Sequence, residues 1–296
     1  VRAESATITY SRGAPAVDSI DLVIPASGIT CLLGANGAGK TSLLEAATGL
    51  RPLTSGTLEV LGSAPGSPSN RTHIGVMLQD GGLPGSARPV DFLNYVSRLY
   101  SNPRDVAATM DLVDIADVAR TPIRRLSGGQ ASRVAWAAAM LGNPRAMILD
   151  EPTSALDPVA RSRMHEVLAA ERERGAAMIV ATHLIEDVAR LADHLVVLHR
   201  GSVVVTGTPD ELRPLNQLQL RAPAHLPLQG LVDALPAGSS CIEEQPGRYR
   251  VCVPQAIEPA VVATVTSWCA QHGVTPEVTI ADLASVLYRA IEGIRP

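Results

Sequence analysis

An α/β protein built on a mainly parallel sheet is the fold class this sequence predicts, and three observations lead to it. Short continuous apolar runs at residues 29–33, 146–149 and 177–182 each end in polar residues, as strands buried on both faces do. The first run opens onto a Gly-rich loop, Gly34 to Thr41, followed by helical spacing over 42–50. Between about Asp80 and Met140 strand signals give way to helical spacing at 91–100, 105–118 and 127–140, so a helical insertion interrupts the sheet. Ahead of all this, alternation at 5–10 and 20–24 predicts half-buried antiparallel strands.

The later elements follow in order. Residues 195–198 and 203–206 predict a hairpin turning through Arg200-Gly201. Thr208-Pro209-Asp210-Glu211 reads as a helix start, with a cap, a first-position proline and an acid three residues on. After Pro214 the texture changes to short pieces separated by Pro and Gly, which predicts a domain boundary near 215. The chain then divides into 1–214, with a helical subdomain at about 80–140, and an accessory α+β domain at 215–296. In the latter, strands at 217–221, 240–244, 248–253 and 275–279 and helices at 228–235, 256–272 and 281–292 give an order compatible with a ferredoxin-like unit.

Composition narrows the function classes. A chain of 296 residues, 46% apolar, buries enough surface to fold without a disulfide or metal staple. Its net charge of −4 is no electrostatic footprint for nucleic acid, and five Arg face seven acids after residue 215. No basic cluster exceeds the pair Arg124-Arg125, so no polybasic membrane anchor is expected. The longest apolar stretch, 134–142, falls well short of the roughly 18 residues of a membrane span. Val1-Arg2-Ala3-Glu4 does not resemble a signal peptide. Cys31, Cys241, Cys252 and Cys269 lack C-x-x-C spacing, and buried free thiols in a reducing cytosol are the expectation. Of the 25 basic residues only Lys40 is a lysine.

That lysine sits in Gly34-Ala35-Asn36-Gly37-Ala38-Gly39-Lys40-Thr41, a phosphate-cradling pattern with a buried strand before it and a helix after. The glycines let backbone N–H groups turn toward a polyanion at a helix N-terminus. Lys40 would neutralise β- and γ-phosphates, and the Thr41 hydroxyl would hold Mg²⁺. The run 146–149 ends in Asp150-Glu151, which places one carboxylate for Mg²⁺ and the next as general base for an attacking water. Leu126-Ser127-Gly128-Gly129-Gln130 opens an Ala-rich helix, where Ser127 is a natural cap and the glycines expose N–H groups to an anion.

These motifs together resemble the ATP-binding cassette ATPases, whose signature is Leu-Ser-Gly-Gly-Gln, here ending 20 residues before Asp150. The resemblance covers about residues 3–212. It implies binding of ATP and Mg²⁺ by Gly34, Asn36, Gly37, Gly39, Lys40, Thr41 and Ser42, with Tyr10 stacking on adenine, worth roughly 1–3 kcal/mol. It further implies that Gln79 senses metal and attacking water and that His183 contacts the γ-phosphate as a switch. Ser127, Gly128, Gly129 and Gln130 of one subunit would close on ATP held by another, and Ser154 to Asp157 would cross the dimer interface. Two departures stand out: Ala131 where a polar residue often follows the signature, and Ala138 where an Arg is common.

The implied function is that of the nucleotide-binding subunit of a membrane transporter, on the cytoplasmic face of the cell membrane. It would work as a homodimer, or a heterodimer with a second such ATPase, and drive an integral membrane permease docked near residues 79–100, with no nucleic-acid partner. An exporter of the drug or polysaccharide kind is the preferred expectation, given the short insertion and the tail. The alternatives are an importer ATPase, or a soluble ATPase of translation or DNA maintenance. The latter class usually carries tandem cassettes or a long coiled-coil insertion, neither of which is visible here. A dehydrogenase is excluded, because its Gly-x-Gly-x-x-Gly fingerprint needs neither Lys40 nor Glu151.

Overall fold

The computed structural model describes residues 1–10, 13–79, 82–212, 216–280 and 283–293. The chain divides into two compact units, Val1–Pro209 together with the tail from Ala290, and Asp210–Arg289.

The first unit begins with β1 (Arg2–Ile8) and β2 (Val17–Val23), which pair antiparallel. Next come β3 (Ile29–Leu33), α1 (Lys40–Ala47) and β4 (Ser55–Glu59), the last completing a three-stranded sheet of order β2-β1-β4. The alternation in β1 is broken by bulges, with Ser5 in the left-handed region at φ 46°. Ala3, Ala6 and Ile8 are therefore the inward residues. β1 ends at Ile8, so Tyr10 lies beyond the ladder rather than within a strand reaching residue 10.

The remaining elements of this unit are α2 (Pro68–Arg71), β5 (Ile74–Met77), α3 (Pro89–Ser97), α4 (Val106–Leu112), α5 (Gly128–Met140), β6 (Ala146–Asp150), α6 (Pro158–Glu173), β7 (Ala177–Thr182), α7 (Ile185–Leu191), β8 (His194–His199) and β9 (Ser202–Gly207), and α8 (Pro209–Leu212) runs from Pro209 into the second unit. Six strands form one sheet in the order β5-β6-β7-β3-β8-β9, parallel throughout except for the hairpin strand β9. Every residue of β3, β6 and β7 is buried, which is why these three read as unbroken apolar runs. Their register sets Leu33 beside Thr182 and Asp150 beside Ala181, so the polar residues that follow all emerge at one edge.

Among the helices whose bounds differ from the sequence expectation, two have a clear local cause. α4 stops at Leu112 instead of running to 118, because Asp114 turns left-handed at φ 57°. The Arg133 guanidinium fastens that turn, donating to the Asp114 carbonyl at 2.6 Å and to its carboxylate at 2.7 Å. Conversely, α1 starts two residues early, with Gly39 at φ 105° as its cap. Lys40, Thr41 and Ser42 thus form the first turn, whose N–H groups have no partner within the helix.

The second unit holds β10 (Gln217–Arg221), α9 (Gln229–Ala234), β11 (Ser240–Gln245), β12 (Arg248–Cys252), α10 (Pro259–Gln271) and β13 (Glu277–Ile280), before α11 (Leu283–Ile291). Its four strands are antiparallel in the order β11-β12-β10-β13. Leu218, Leu220, Tyr249, Val251, Val265 and Trp268 fill the core between sheet and helices. All four cysteines are free, yet only Cys31 and Cys269 are buried; Cys241 and Cys252 are partly exposed. They sit on β11 and β12, strands with one side turned to solvent.

Candidate active site

Four parallel strands deliver the site. The loop after β3 carries the glycines, β5 leads to Gln79, β6 ends in Asp150 and Glu151, and β7 leads to His183. This is the carboxyl edge of an open parallel sheet, where connections diverge and leave a crevice. The cleft there has a volume of about 450 Å³ and is lined by Tyr10, Asn36, Gly37, Gly39, Lys40, Thr41, Ser42, Gln79, Glu151, Ser154 and His183, with Ala16 and Ala38 completing the wall.

Lys40 is buried within it. Its ammonium donates to the carbonyls of Gly34 at 2.7 Å and Ala35 at 3.4 Å and lies 3.5 Å from Oε1 of Glu151. Oε2 of Glu151 meets Nδ1 of His183 at 2.8 Å. Glu151 itself adopts φ 51°, a left-handed conformation that costs a non-glycine residue about 1–2 kcal/mol. Its N–H bonds to Ala181 at 2.9 Å and its carbonyl accepts from the Ser154 hydroxyl at 3.0 Å. Those contacts hold the strained backbone in place.

On the other side of the loop, the Thr41 hydroxyl donates to Oδ2 of Asp150 at 2.7 Å. Oδ1 of Asp150 is buried with no hydrogen-bond partner. Burial pushes the Asp150 carboxyl above its ordinary range; the Thr41 hydroxyl pulls it back down, and the neighbouring Glu151 charge adds to the rise.

The glycines serve different ends. Gly37 is left-handed at φ 81° with open space where a Cβ would stand, whereas Gly39 at φ 105° would place one 2.3 Å from the Ala16 carbonyl. Gly34, by contrast, does not line the cleft. A Cβ there would sit 2.6 Å from the Leu198 carbonyl, so Gly34 allows the loop to pack on β8 and offers its carbonyl to Lys40.

Tyr10 stands at the mouth, its hydroxyl 2.9 Å from that of Ser42. The Arg51 guanidinium lies over its ring at 4.0 Å from the centroid, held by Glu45 at 2.6 Å. Sequence reading did not single out Arg51. Its signal, an Arg six residues beyond a Glu on the helix that follows the loop, carries no chemistry until Tyr10 folds beside it.

Ser127, Gly128, Gly129, Gln130 and Asp157 are not brought to this cleft. Ser127 and Gln130 cap α5 reciprocally: the Ser127 hydroxyl accepts from the Gln130 N–H at 3.2 Å, and the Gln130 side chain accepts from the Ser127 N–H at 3.0 Å. Gly129 packs so closely on the loop before α6 that a Cβ would meet the Ala155 carbonyl at 2.9 Å. Asp157 caps α6, accepting from Val159 at 3.0 Å and Ala160 at 2.9 Å. The Ala160 N–H foremost, against desolvation and with the Val159 N–H adding to it, holds its carboxyl below the usual carboxylate range.

A sheet edge that gathers a glycine loop, one lysine and a carboxylate around a single crevice, with a second carboxylate, Asp150, buried behind Thr41, belongs to a phosphate-handling NTPase. A sequence profile of the ABC transporter family matches residues 17–154. The chain is 32% identical over 229 residues to the nickel import ATP-binding protein NikO of Rhodobacter capsulatus, covering 71% of this chain and 90% of that one. It belongs to the ABC transporter ATP-binding family, and is an ATPase of that class. It is also 34% identical over 203 residues to the Nod factor export ATP-binding protein I of Cupriavidus metallidurans, covering 66% and 67% of the two chains. Among solved structures, cbiO1 of Clostridium perfringens, part of the ABC transporter complex cbiONQ, is similar at 30% identity and a TM-score of 0.61, over 71% of this chain and 89% of that one.

Proposed function

We propose that this chain hydrolyses ATP with Glu151 as general base and drives an exporter. The observation that carries the reading is the continuous chain of contacts Lys40–Glu151–His183 in the cleft. Glu151 is placed to take a proton from water at the γ-phosphate, and His183 shares its carboxylate while remaining partly exposed to the cleft. Lys40 exchanges loop carbonyls for phosphate oxygens when ATP enters. Tyr10 stacks on the base, while Asn36, Gly37, Gly39, Thr41 and Ser42 line the phosphate path.

The residues also fit Mg²⁺. A buried, unpartnered Oδ1 on Asp150 beside the Thr41 hydroxyl is a set of hard oxygen donors, with Gln79 at the cleft wall. When bound, the ion would neutralise charge developing on the β- and γ-phosphates.

Ser127, Gly128, Gly129, Gln130 and Asp157 lie outside the chain's own cleft, which supports a role in trans. In a dimer, as homodimer or with a second ABC ATPase, they would close on ATP held by the other subunit. No helix among the described residues is long and apolar enough to cross a bilayer. The likeness to transporter ATP-binding proteins supports an integral permease as the membrane side, with this chain peripheral on the cytoplasmic face. We read the second unit, with its β-α-β-β-α-β order, as a ferredoxin-like accessory domain that supports dimer contacts or regulation.

Export is favoured by the likeness to the Nod factor export protein, and import by the likeness to NikO. The two part in one experiment. With the permease co-purified in detergent and reconstituted, ATP supplied on the cassette side drives substrate away from that side in an exporter and toward it in an importer. Recovery with ribosomes or DNA in place of a membrane protein would overturn the transport reading. For the chemistry, Glu151→Gln is expected to keep ATP binding and slow turnover at least about 10²-fold; unchanged turnover would remove Glu151 from its role.

A further inference from the structure

Asp187, the third residue of α7, is completely buried, and nothing above uses it. Its carboxylate is nonetheless the meeting point of three parts of the fold. Oδ2 accepts from the Thr153 hydroxyl at 2.5 Å and from the Thr182 hydroxyl at 3.0 Å. Oδ1 meets Nε2 of His165, on α6, at 2.8 Å. Thr153 lies two residues after Glu151, and Thr182 immediately precedes His183. Thr182 also accepts the Leu184 N–H at 3.0 Å, so the backbone is tied on both sides of the histidine.

We propose that Asp187 is a positioning residue for the hydrolytic pair: one carboxylate fastens the chain segments carrying Glu151 and His183 to each other, and His165 holds that carboxylate from the third side. The proposal rests on the reading of Glu151 and His183 as that pair. Three features support it. The Glu151–His183 contact spans two loops from different strands, and the Thr153–Asp187–Thr182 bridge is a second, buried tie between the same loops. Glu151 holds a left-handed φ of 51°, a conformation that persists only where its surroundings over-determine it. His165 spends its one contacting nitrogen on Asp187, its Nδ1 being buried without a partner, which costs free energy. A shift of a fraction of an ångström in the base relative to the γ-phosphate is the size of error that slows a reaction without loosening substrate.

The test uses the full chain with Mg²⁺-ATP and measures nucleotide affinity, turnover and melting temperature together. Asp187→Asn is expected to lower kcat at least about tenfold while ATP affinity stays within about threefold, the signature of lost transition-state positioning. Should that variant fail to fold, Thr153→Val and Thr182→Val cut the two ties singly while preserving shape, and each should lower kcat about threefold or more with affinity kept. His165→Gln, which keeps a nitrogen donor at the reach of Nε2, should restore most of the turnover that His165→Leu loses. In a Glu151→Gln background the same substitutions should cause no further loss, because they act through Glu151. Unchanged kcat in the folded variants overturns the proposal, as does an equal fractional loss with and without Glu151. Full turnover in Glu151→Gln alone would instead overturn the assignment of the base, and this proposal with it.

Discussion

The ammonium of Lys40 lies 3.5 Å from Oε1 of Glu151, with both side chains more than nine-tenths buried. A cation for phosphate and a base for water thus share one desolvated space before any nucleotide enters, each offsetting the burial cost of the other. Lys40→Met should leave the buried Glu151 carboxylate with His183 alone beside it. Turnover is expected to fall at least about 10²-fold, and denaturant titration should show a loss of about 3 kcal/mol or more. Lys40→Arg keeps the charge but not the shape, and its planar guanidinium should also fail to restore turnover. Normal activity in Lys40→Arg would show that charge alone suffices.

Two neighbouring glycines should respond differently to alanine. Gly37→Ala meets only the left-handed backbone cost of about 1–2 kcal/mol, because nothing lies near its would-be Cβ. Gly39→Ala adds a collision with the Ala16 carbonyl at 2.3 Å and should exceed that cost by at least about 1 kcal/mol. Equal melting temperatures for the two variants would contradict the loop geometry.

Ser127→Ala removes one half of a reciprocal cap and is expected to cost about 1 kcal/mol in urea unfolding. If Ser127 also meets ATP across a dimer, the same substitution should lower ATP-dependent association, read by sedimentation in the Glu151→Gln background. Loss of stability without loss of association would confine Ser127 to the cap.

The Asp187 carboxylate makes a prediction about acid. Burial alone would raise it, but hydrogen bonds from His165, Thr153 and Thr182 hold it below its ordinary value of 3.8. A carboxyl lower in the folded than in the unfolded state stabilises the fold above the unfolded value, and that contribution fades as pH falls through the folded one. With His165 in place, the stability lost on Asp187→Asn should shrink as pH falls below about pH 4. A gap that widened with acid would reverse the sign of the shift.

The glycine loop, Lys40, Asp150 and Glu151 were legible as candidates because they follow unbroken apolar runs, whereas Tyr10, Gln79 and His183 were expected only from the family resemblance. β3, β6 and β7 are buried on both faces, and a strand of that kind must end in the polar residues that reach solvent at the sheet edge. The end of α4 was not legible: Asp114 turns left-handed only because Arg133, 19 residues further on, holds it. Arg51 was passed over for the same reason, since the ring it covers belongs to Tyr10, distant in sequence.

Local sequence, then, determined the class of site. Loop glycines, the single lysine and successive carboxylates have steric and electrostatic meanings that spacing alone conveys. What only the tertiary structure decided was which residues work together. Strand order β6-β7-β3 sets Glu151, His183 and Lys40 within reach of one another, and the same packing leaves Ser127 to Gln130 and Asp157 outside the chain's own cleft. Gly34, expected at the phosphates, packs against β8 outside the cleft lining, while Asp187 and His165 carried no motif at all. Their significance comes from burial, which turns an ordinary carboxylate into a point where three segments of the chain must agree.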